Sequence, residues 1–119
     1  MSWTITVKAP HANPAIVKSQ SGLRINGGDL LAPGSYEAKV GDSYEVDVNV
    51  SSPTAGKIAI AVYMNGVELS REEDIPIEAF GSVVRYIRGT FDKEGTYEFS
   101  MAVYYWDGSQ YVKNDEYGC

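Results

Sequence analysis

The chain has 119 residues, a mass of 13.0 kDa, 44% hydrophobic and 22% charged residues, which fits one domain with a core and excludes general disorder. Sixteen acids against ten bases give a net charge of -6, the wrong balance for gripping nucleic acid by its phosphates. One Cys and one His exclude a Cys/His zinc site, and the longest apolar run, residues 58–64, is too short to cross a bilayer.

The chain opens Met1-Ser2-Trp3-Thr4-Ile5. No basic start runs into an apolar stretch, so no signal peptide is expected. Trp3, Ile5 and Val7 alternate with polar residues and predict an N-terminal strand. Pro10 and Pro14 bracket a loop around His11, residues 15–18 and 23–25 read as short extended pieces, and Asn26-Gly27-Gly28-Asp29 must turn. Residues 1–35 thus read as irregular strands and loops, and 36–119 as the core of a single domain. Pro33-Gly34 and Gly41-Asp42 bound a predicted strand over 35–40.

The period-two signal is strongest in the middle. Tyr44, Val46, Val48 and Val50 alternate with Glu45, Asp47 and Asn49, predicting a half-buried strand with its acids in water. Residues 58–64 are apolar on both faces, as in a central strand. Asn65-Gly66 predicts a two-residue hairpin turn with positive φ at both positions, leading into a short strand over 67–70. Residues 70–79 are the one helical candidate, limited by Pro76 to a single turn. A strand over 83–91 follows, then Lys93-Glu94-Gly95. The longest strand starts at Tyr97 and ends at Trp106. Asp107-Gly108-Ser109 then turns into a last strand from Tyr111. From alternation, Val46, Val48, Ile60, Val62, Phe99, Met101 and Val103 are the expected core.

Short strands with turn signals about every ten residues predict an all-β fold, a sandwich of seven to nine mostly antiparallel strands. One ordered string carries a resemblance. Val40-Gly41-Asp42 leads into Tyr44-Glu45-Val46-Asp47-Val48-Asn49-Val50. The hairpin from Ile58 through Asn65-Gly66-Val67 follows, then Phe80-Gly81-Ser82-Val83-Val84, and Gly95-Thr96-Tyr97-Glu98-Phe99 opens the late strand. In this order the chain resembles the immunoglobulin-like, cell-adhesion-related (CARDB) domains of bacterial and archaeal surface proteins. The resemblance covers a little over half the chain. It departs from the family in the N-terminal third, and Ser51-Ser52-Pro53 stands where Asn-Gly is usual. It implies an immunoglobulin-like sandwich and a non-catalytic spacer or adhesion module, and it transfers no site residues.

Chemistry-bearing constellations are sparse. His11 has no partnered nucleophile in the sequence and reads as a surface-loop residue. Glu72, Glu73 and Asp74 read as a solvated acidic turn, and Gly27-Gly28 lacks the following helix that a phosphate cradle needs. Asp107, Ser109, Asn114, Asp115 and Glu116 offer hard oxygens that could suit calcium, but without EF-hand spacing. No cofactor is expected and no enzymatic activity is indicated. The most distinctive patch is aromatic: Tyr104, Tyr105, Trp106, Tyr111 and Tyr117 fall within 14 positions. Tyr105 is expected to face the core with Val103, while Tyr104, Trp106 and one of Tyr111 and Val112 face outward. Three readings follow: the N-terminal third packs over these rings, or with Tyr117 they form a protein–protein interface, or they form a carbohydrate platform. The leading expectation is a structural or adhesion module that assembles with its own copies or another structural protein, as in a virus particle or on a cell surface. Cys119 is a candidate for an intermolecular disulfide.

Overall fold

The computed structural model describes residues 2–5 and 11–118. Among them are eight strands: β1 (Ala15–Ile16), β2 (Gly22–Ile25), β3 (Ser43–Ser52), β4 (Gly56–Met64), β5 (Val67–Ile77), β6 (Gly81–Thr90), β7 (Phe99–Trp106) and β8 (Tyr111–Tyr117). They form two antiparallel four-stranded sheets. In the first, β1 and β2 lie one after the other along one edge of β3, and β6 lies along its other edge. The second has the order β5-β4-β7-β8.

The core is the product of the alternation. Tyr44, Val46, Val48 and Val50 of β3 face Ile58, Ile60 and Val62 of β4 and Met101 and Val103 of β7, all buried. Phe99 is half-buried and joins a cluster at one end, with ring centroids 5.0 Å from Tyr44 and 6.2 Å from Phe91. Ala59, Ala61 and Ala102 point the other way and are also fully covered. β4 is therefore buried on both faces, as its composition implies.

Asn65 and Gly66 have φ of 54° and 76°, the mirror-image turn that matches strand twist. Asn26 and Gly27, at 52° and 68°, repeat this chemistry between β2 and Leu31, which returns to bridge Leu23.

Several expectations are corrected. Residues 67–77 form one eleven-residue edge strand, with no helical turn. Pro76 is accommodated because its missing N–H can face the open edge, and the extra length is absorbed by two irregularities opposite β4. Asp74, at the first of these, has φ of 60°. Residues 35–40 form no strand. Tyr36 and Val40 stand 49% and 57% exposed, and the segment bonds locally instead: Tyr36 donates to the Ala32 carbonyl and the Lys39 N–H to Asp42. Residues 2–5 also form no strand, and Trp3 and Ile5 are 87% and 82% exposed; Val7 lies outside the described residues.

Asp47 is the one acid on β3 whose position the alternation misjudges. Arg24 of β2 lies against it, with Nε 3.0 Å from Oδ2, and Asp47 is buried while Oδ1 has no hydrogen-bond partner among the described residues. Burial, reinforced by Glu45 beside it, pushes its carboxyl above the ordinary range against the pull of Arg24. Arg85 of β6 sits opposite Val48, in core-facing register. Its guanidinium reaches Glu72 of β5 at 2.9 Å and straps the two sheets together along that side.

Candidate functional site

The outer face of the second sheet carries a network of ring, cation and hydroxyl contacts. Its floor is small: Ala59, Ala61 and Ala102 sit at the centre of β4 and β7. Over this floor lie the side chains that alternate with the core: Tyr63 from β4, Tyr104 and Trp106 from β7, Tyr111 from β8 and Arg71 from β5. The small floor lets these large groups lie flat, which is why the alanines have no contact with water.

Cations and hydroxyls hold the rings in place. The Lys57 ammonium lies 4.4 Å from the Trp106 ring centre, and the Arg71 guanidinium lies 4.5 Å from Tyr104 and 5.8 Å from Tyr111. Both distances for the nearer rings are within cation–π range. Each cation has its own carboxylate: Lys57 pairs with Asp74 at 3.2 Å, and Arg71 with Glu73 at 2.9 Å. The Tyr63 and Tyr104 hydroxyls share a short hydrogen bond. Desolvation, then that bond, pushes the Tyr63 phenol up to about 12. Tyr111 accepts from the Asp74 N–H at 2.7 Å and donates to Asp74 Oδ1 at 2.7 Å. Its phenol is raised chiefly by burial, then by Asp74. The Tyr111 bond, followed by Lys57, draws the Asp74 carboxyl below its usual range.

Tyr104 and Trp106, expected outward from the sequence, are thus brought together with Tyr111, which rather than Val112 takes the outward place on β8; all three are half-buried. Trp106 and Tyr111 meet edge to face, 5.1 Å apart at 63°, so they form no coplanar pair. Tyr117 is elsewhere: it pairs with Met101, packs against the core, and carries Lys18 at 5.8 Å. Tyr105 turns inward as expected, where His11 stacks on it at 4.4 Å and 14°. Cys119 lies outside the described residues. Tyr63, Lys57 and Arg71 belong to the face but were not picked out in the sequence. The outward parity of Tyr63 on β4 was the available signal, whereas Arg71 was hidden by the wrong reading of β5.

The oxygens considered for calcium do not converge. Asp107 Oδ1 accepts the N–H groups of Ser109 and Gln110 at 2.8 Å each, closing the β7–β8 turn. These two bonds, that of Gln110 foremost, lower its carboxyl. Asp115 Oδ2 instead accepts the Ile16 N–H at 3.0 Å, and Asn114 donates to Asn13 Oδ1 and to the Pro14 carbonyl. These residues tie the N-terminal segment to β8. Among the described residues no group of three or more His, Cys, Asp and Glu side chains is placed to hold a metal.

The sequence matches no family description and no curated protein. Solved structures do match in shape. The CARDB domain of the PF1109 protein of Pyrococcus furiosus, solved in complex with di-metal ions, aligns over 98% of this chain and 96% of its own, with a TM-score of 0.55 and 15% identity. The C-terminal domain of wzt aligns over 93% of this chain and 75% of its own, with a TM-score of 0.58 and 13% identity. The fold is thus that of CARDB-type, immunoglobulin-like sandwiches, as the string of strand and turn residues implied.

Proposed function

We propose that this domain is a non-enzymatic module that acts through protein–protein contact, using the outer face of the β5-β4-β7-β8 sheet. The observation that carries this reading is the fixed aromatic layer of Tyr104, Trp106 and Tyr111, with Lys57 and Arg71 stacked on it and their charges balanced by Asp74 and Glu73. Rigid aromatic and arginine side chains lose little entropy on contact, and they dominate interface energetics elsewhere. A hydrolytic or transfer reaction would need a nucleophile, an acid or a base aimed at a shared point; on this face the ionisable groups are spent on one another. Such a module suits a structural component, of a virus particle or a cell surface, that associates with its own copies or with another structural protein.

The test is the molar mass in solution across a concentration series, with and without Trp106→Ala. Truncating a central anchor should weaken association by about 2 kcal/mol or more, with the circular dichroism of the fold retained. A wild-type chain whose mass is that of a monomer at every concentration, and which binds no protein through this face, overturns the reading. Quenching of Trp106 fluorescence by soluble oligosaccharides, with no change in mass, would favour the carbohydrate platform instead.

A further inference from the structure

The outer face of the first sheet, turned away from the aromatic layer, carries two carboxylates around one guanidinium. Glu45 and Asp47 stand two residues apart on β3 and so share a face. Arg24 of β2 lies opposite Glu45 in the ladder. Its Nε is 3.0 Å from Asp47 Oδ2 and 3.8 Å from Glu45 Oε2, and its Nη1 donates to the Gly28 carbonyl at 2.9 Å. On the other flank Arg88 of β6 donates from Nε to Glu45 Oε1 at 2.6 Å. Tyr86 of β6 lies opposite Asp47, with the Arg88 guanidinium 5.6 Å from its ring centre. Asp29, in the turn after β2, adds its charge beyond Arg24.

The two acids are not equivalent. The Glu45 side chain keeps 21% of its surface and lies near both guanidinium groups, whereas that of Asp47 keeps 7% and pairs with Arg24 alone. Asp47 Oδ1 has no hydrogen-bond partner among the described residues and no accessible surface. Neither a water nor an ion of similar size can therefore touch it as the side chains stand. A buried carboxylate with a bare oxygen is costly. A proton is small enough to cover that oxygen, and it finds an acceptor in Glu45. Burial, then the bond with Glu45, holds the Asp47 carboxyl above its ordinary range, while the bond with Asp47, then that of Arg88, draws Glu45 down.

We infer that Asp47 keeps a proton on Oδ1 and shares it with the Glu45 carboxylate, and that this proton holds β2 in place as one wall of a groove into the sandwich. The groove, of about 1150 Å³, opens between β2 and the Phe99–Tyr117 end of the second sheet, on the side away from the Arg85–Glu72 strap. Leu23, on the face of β2 opposite to Arg24, lines it with Val46, Phe99 and Met101. With the proton in place, Asp47 donates where Glu45 accepts, and Arg24 faces a pair carrying one negative charge. When the proton leaves to solvent, two charged carboxylates confront each other beside Arg24, and Asp47 Oδ1 is bare. A carboxyl raised in the folded state contributes stability that is complete in acid and lost as pH climbs through the folded value. The element that gives way is β2, four residues held along β3 and bridged to Leu31; β6 pairs with β3 over ten residues. Rising pH thus loosens the wall of the groove, and mild acid closes it. The inference is independent of the aromatic face.

The test follows the Glu45 and Asp47 carboxyl carbons by NMR titration of the intact protein, together with amide exchange on β2. The pair should titrate in two steps, with Asp47 last and above the ordinary Asp range. Glu45→Gln should weaken the hold of Asp47 on its proton about tenfold, a shift of about one pH unit. Corrected for the intrinsic pH dependence of exchange, protection of the β2 amides should fall about tenfold as Asp47 ionises, while that of β4 holds. Asp47→Asn, which keeps the shape of the protonated acid and cannot ionise, should keep β2 protected over the same range. The inference is overturned if Asp47 titrates at or below the ordinary range, as it would if the Asn49 amide turned its NH2 towards Oδ1. It is equally overturned if Glu45→Gln leaves the Asp47 midpoint in place, or if β2 protection follows the same course with pH in Asp47→Asn as in the parent.

Discussion

Tyr111 on one edge strand holds Asp74 on the opposite edge strand, accepting its N–H and donating to its carboxylate, each at 2.7 Å. One hydroxyl thus spans a four-stranded sheet and secures the residue at which β5 leaves regular register. Asp74 has φ of 60°, a conformation that an Asp tolerates better than most residues but which still gains from outside support.

Tyr111→Phe should release that residue. The Asp74 carboxyl, now held low first by Tyr111 and then by Lys57, should titrate closer to its ordinary range. A carboxyl depressed in the folded state stabilises the fold above its unfolded pKa and loses this contribution as pH falls through the folded value. The deficit of the variant should therefore be greatest near neutrality and shrink in acid, without vanishing, since the N–H bond is lost at every pH. Carbon-detected NMR titration of Asp74 and urea unfolding at several pH values measure both effects.

The Tyr63–Tyr104 bond has an alkaline signature. Tyr63 is raised to about 12 by desolvation and by its partner's hydroxyl. A phenol raised in the folded state contributes stability that is complete below the unfolded value of about 10 and is lost as pH climbs towards the folded value. Stability should fall between about pH 10 and pH 12. In an ultraviolet titration of tyrosinate, Tyr63→Phe should remove the highest-titrating step; retention of that step in the variant would refute the assignment.

Gly66→Val should cost roughly 1–3 kcal/mol, because a β-branched residue must then adopt positive φ. Open space surrounds the position, with nothing within 4 Å of an added Cβ, so any loss of melting temperature reports the backbone alone. An unaltered melting temperature would mean that the turn can change type without disturbing β4 and β5.

Gly56→Ala probes the seating of the N-terminal segment. A Cβ at this position would lie 2.4 Å from the Ala12 backbone nitrogen, so backbone must move. The expected cost is roughly 1–3 kcal/mol, with residues 11–16 lifted from β4 and the His11–Tyr105 stack lost. Limited proteolysis should cut near Lys18 sooner than in the parent; an unchanged cleavage rate would count against the close fit.

The parts of the fold legible in the sequence are those where one physical rule acts alone. On β3, β4 and β7 alternation decides burial, and Val46, Val48, Ile60, Val62, Met101 and Val103 are all buried. Asn65-Gly66 has one favourable conformation, and it is adopted. The outward parity of Tyr104 and Trp106 follows from that of Val103. Misreadings arise where two rules compete. The charges and Pro76 of β5 suggested a break, yet an edge strand tolerates both because one side of it pairs with no strand among the described residues. Residues 35–40 have the pattern of a strand, but local turn bonds such as that of the Lys39 N–H to Asp42 take their place. Asp47 alternates as a solvent-facing residue, but Arg24, 23 positions earlier, covers it. Nothing within β3 announces that contact.

The unequal closure of the two long sides makes the sandwich behave like a book with a bound spine. Arg85 and Glu72 bind the leaves at β5 and β6, while a groove of about 1150 Å³ lies between β2 and the Phe99–Tyr117 end of the second sheet. Thermal breathing should then be a rotation about the spine, opening the free margin first. Amide exchange should be slowest on β3 and β4, next to the binding, and fastest on β2 and near Tyr117. Among the described residues the wider opening onto the apolar interior, lined by Leu23, Val46, Phe99 and Met101, is on the side away from that strap.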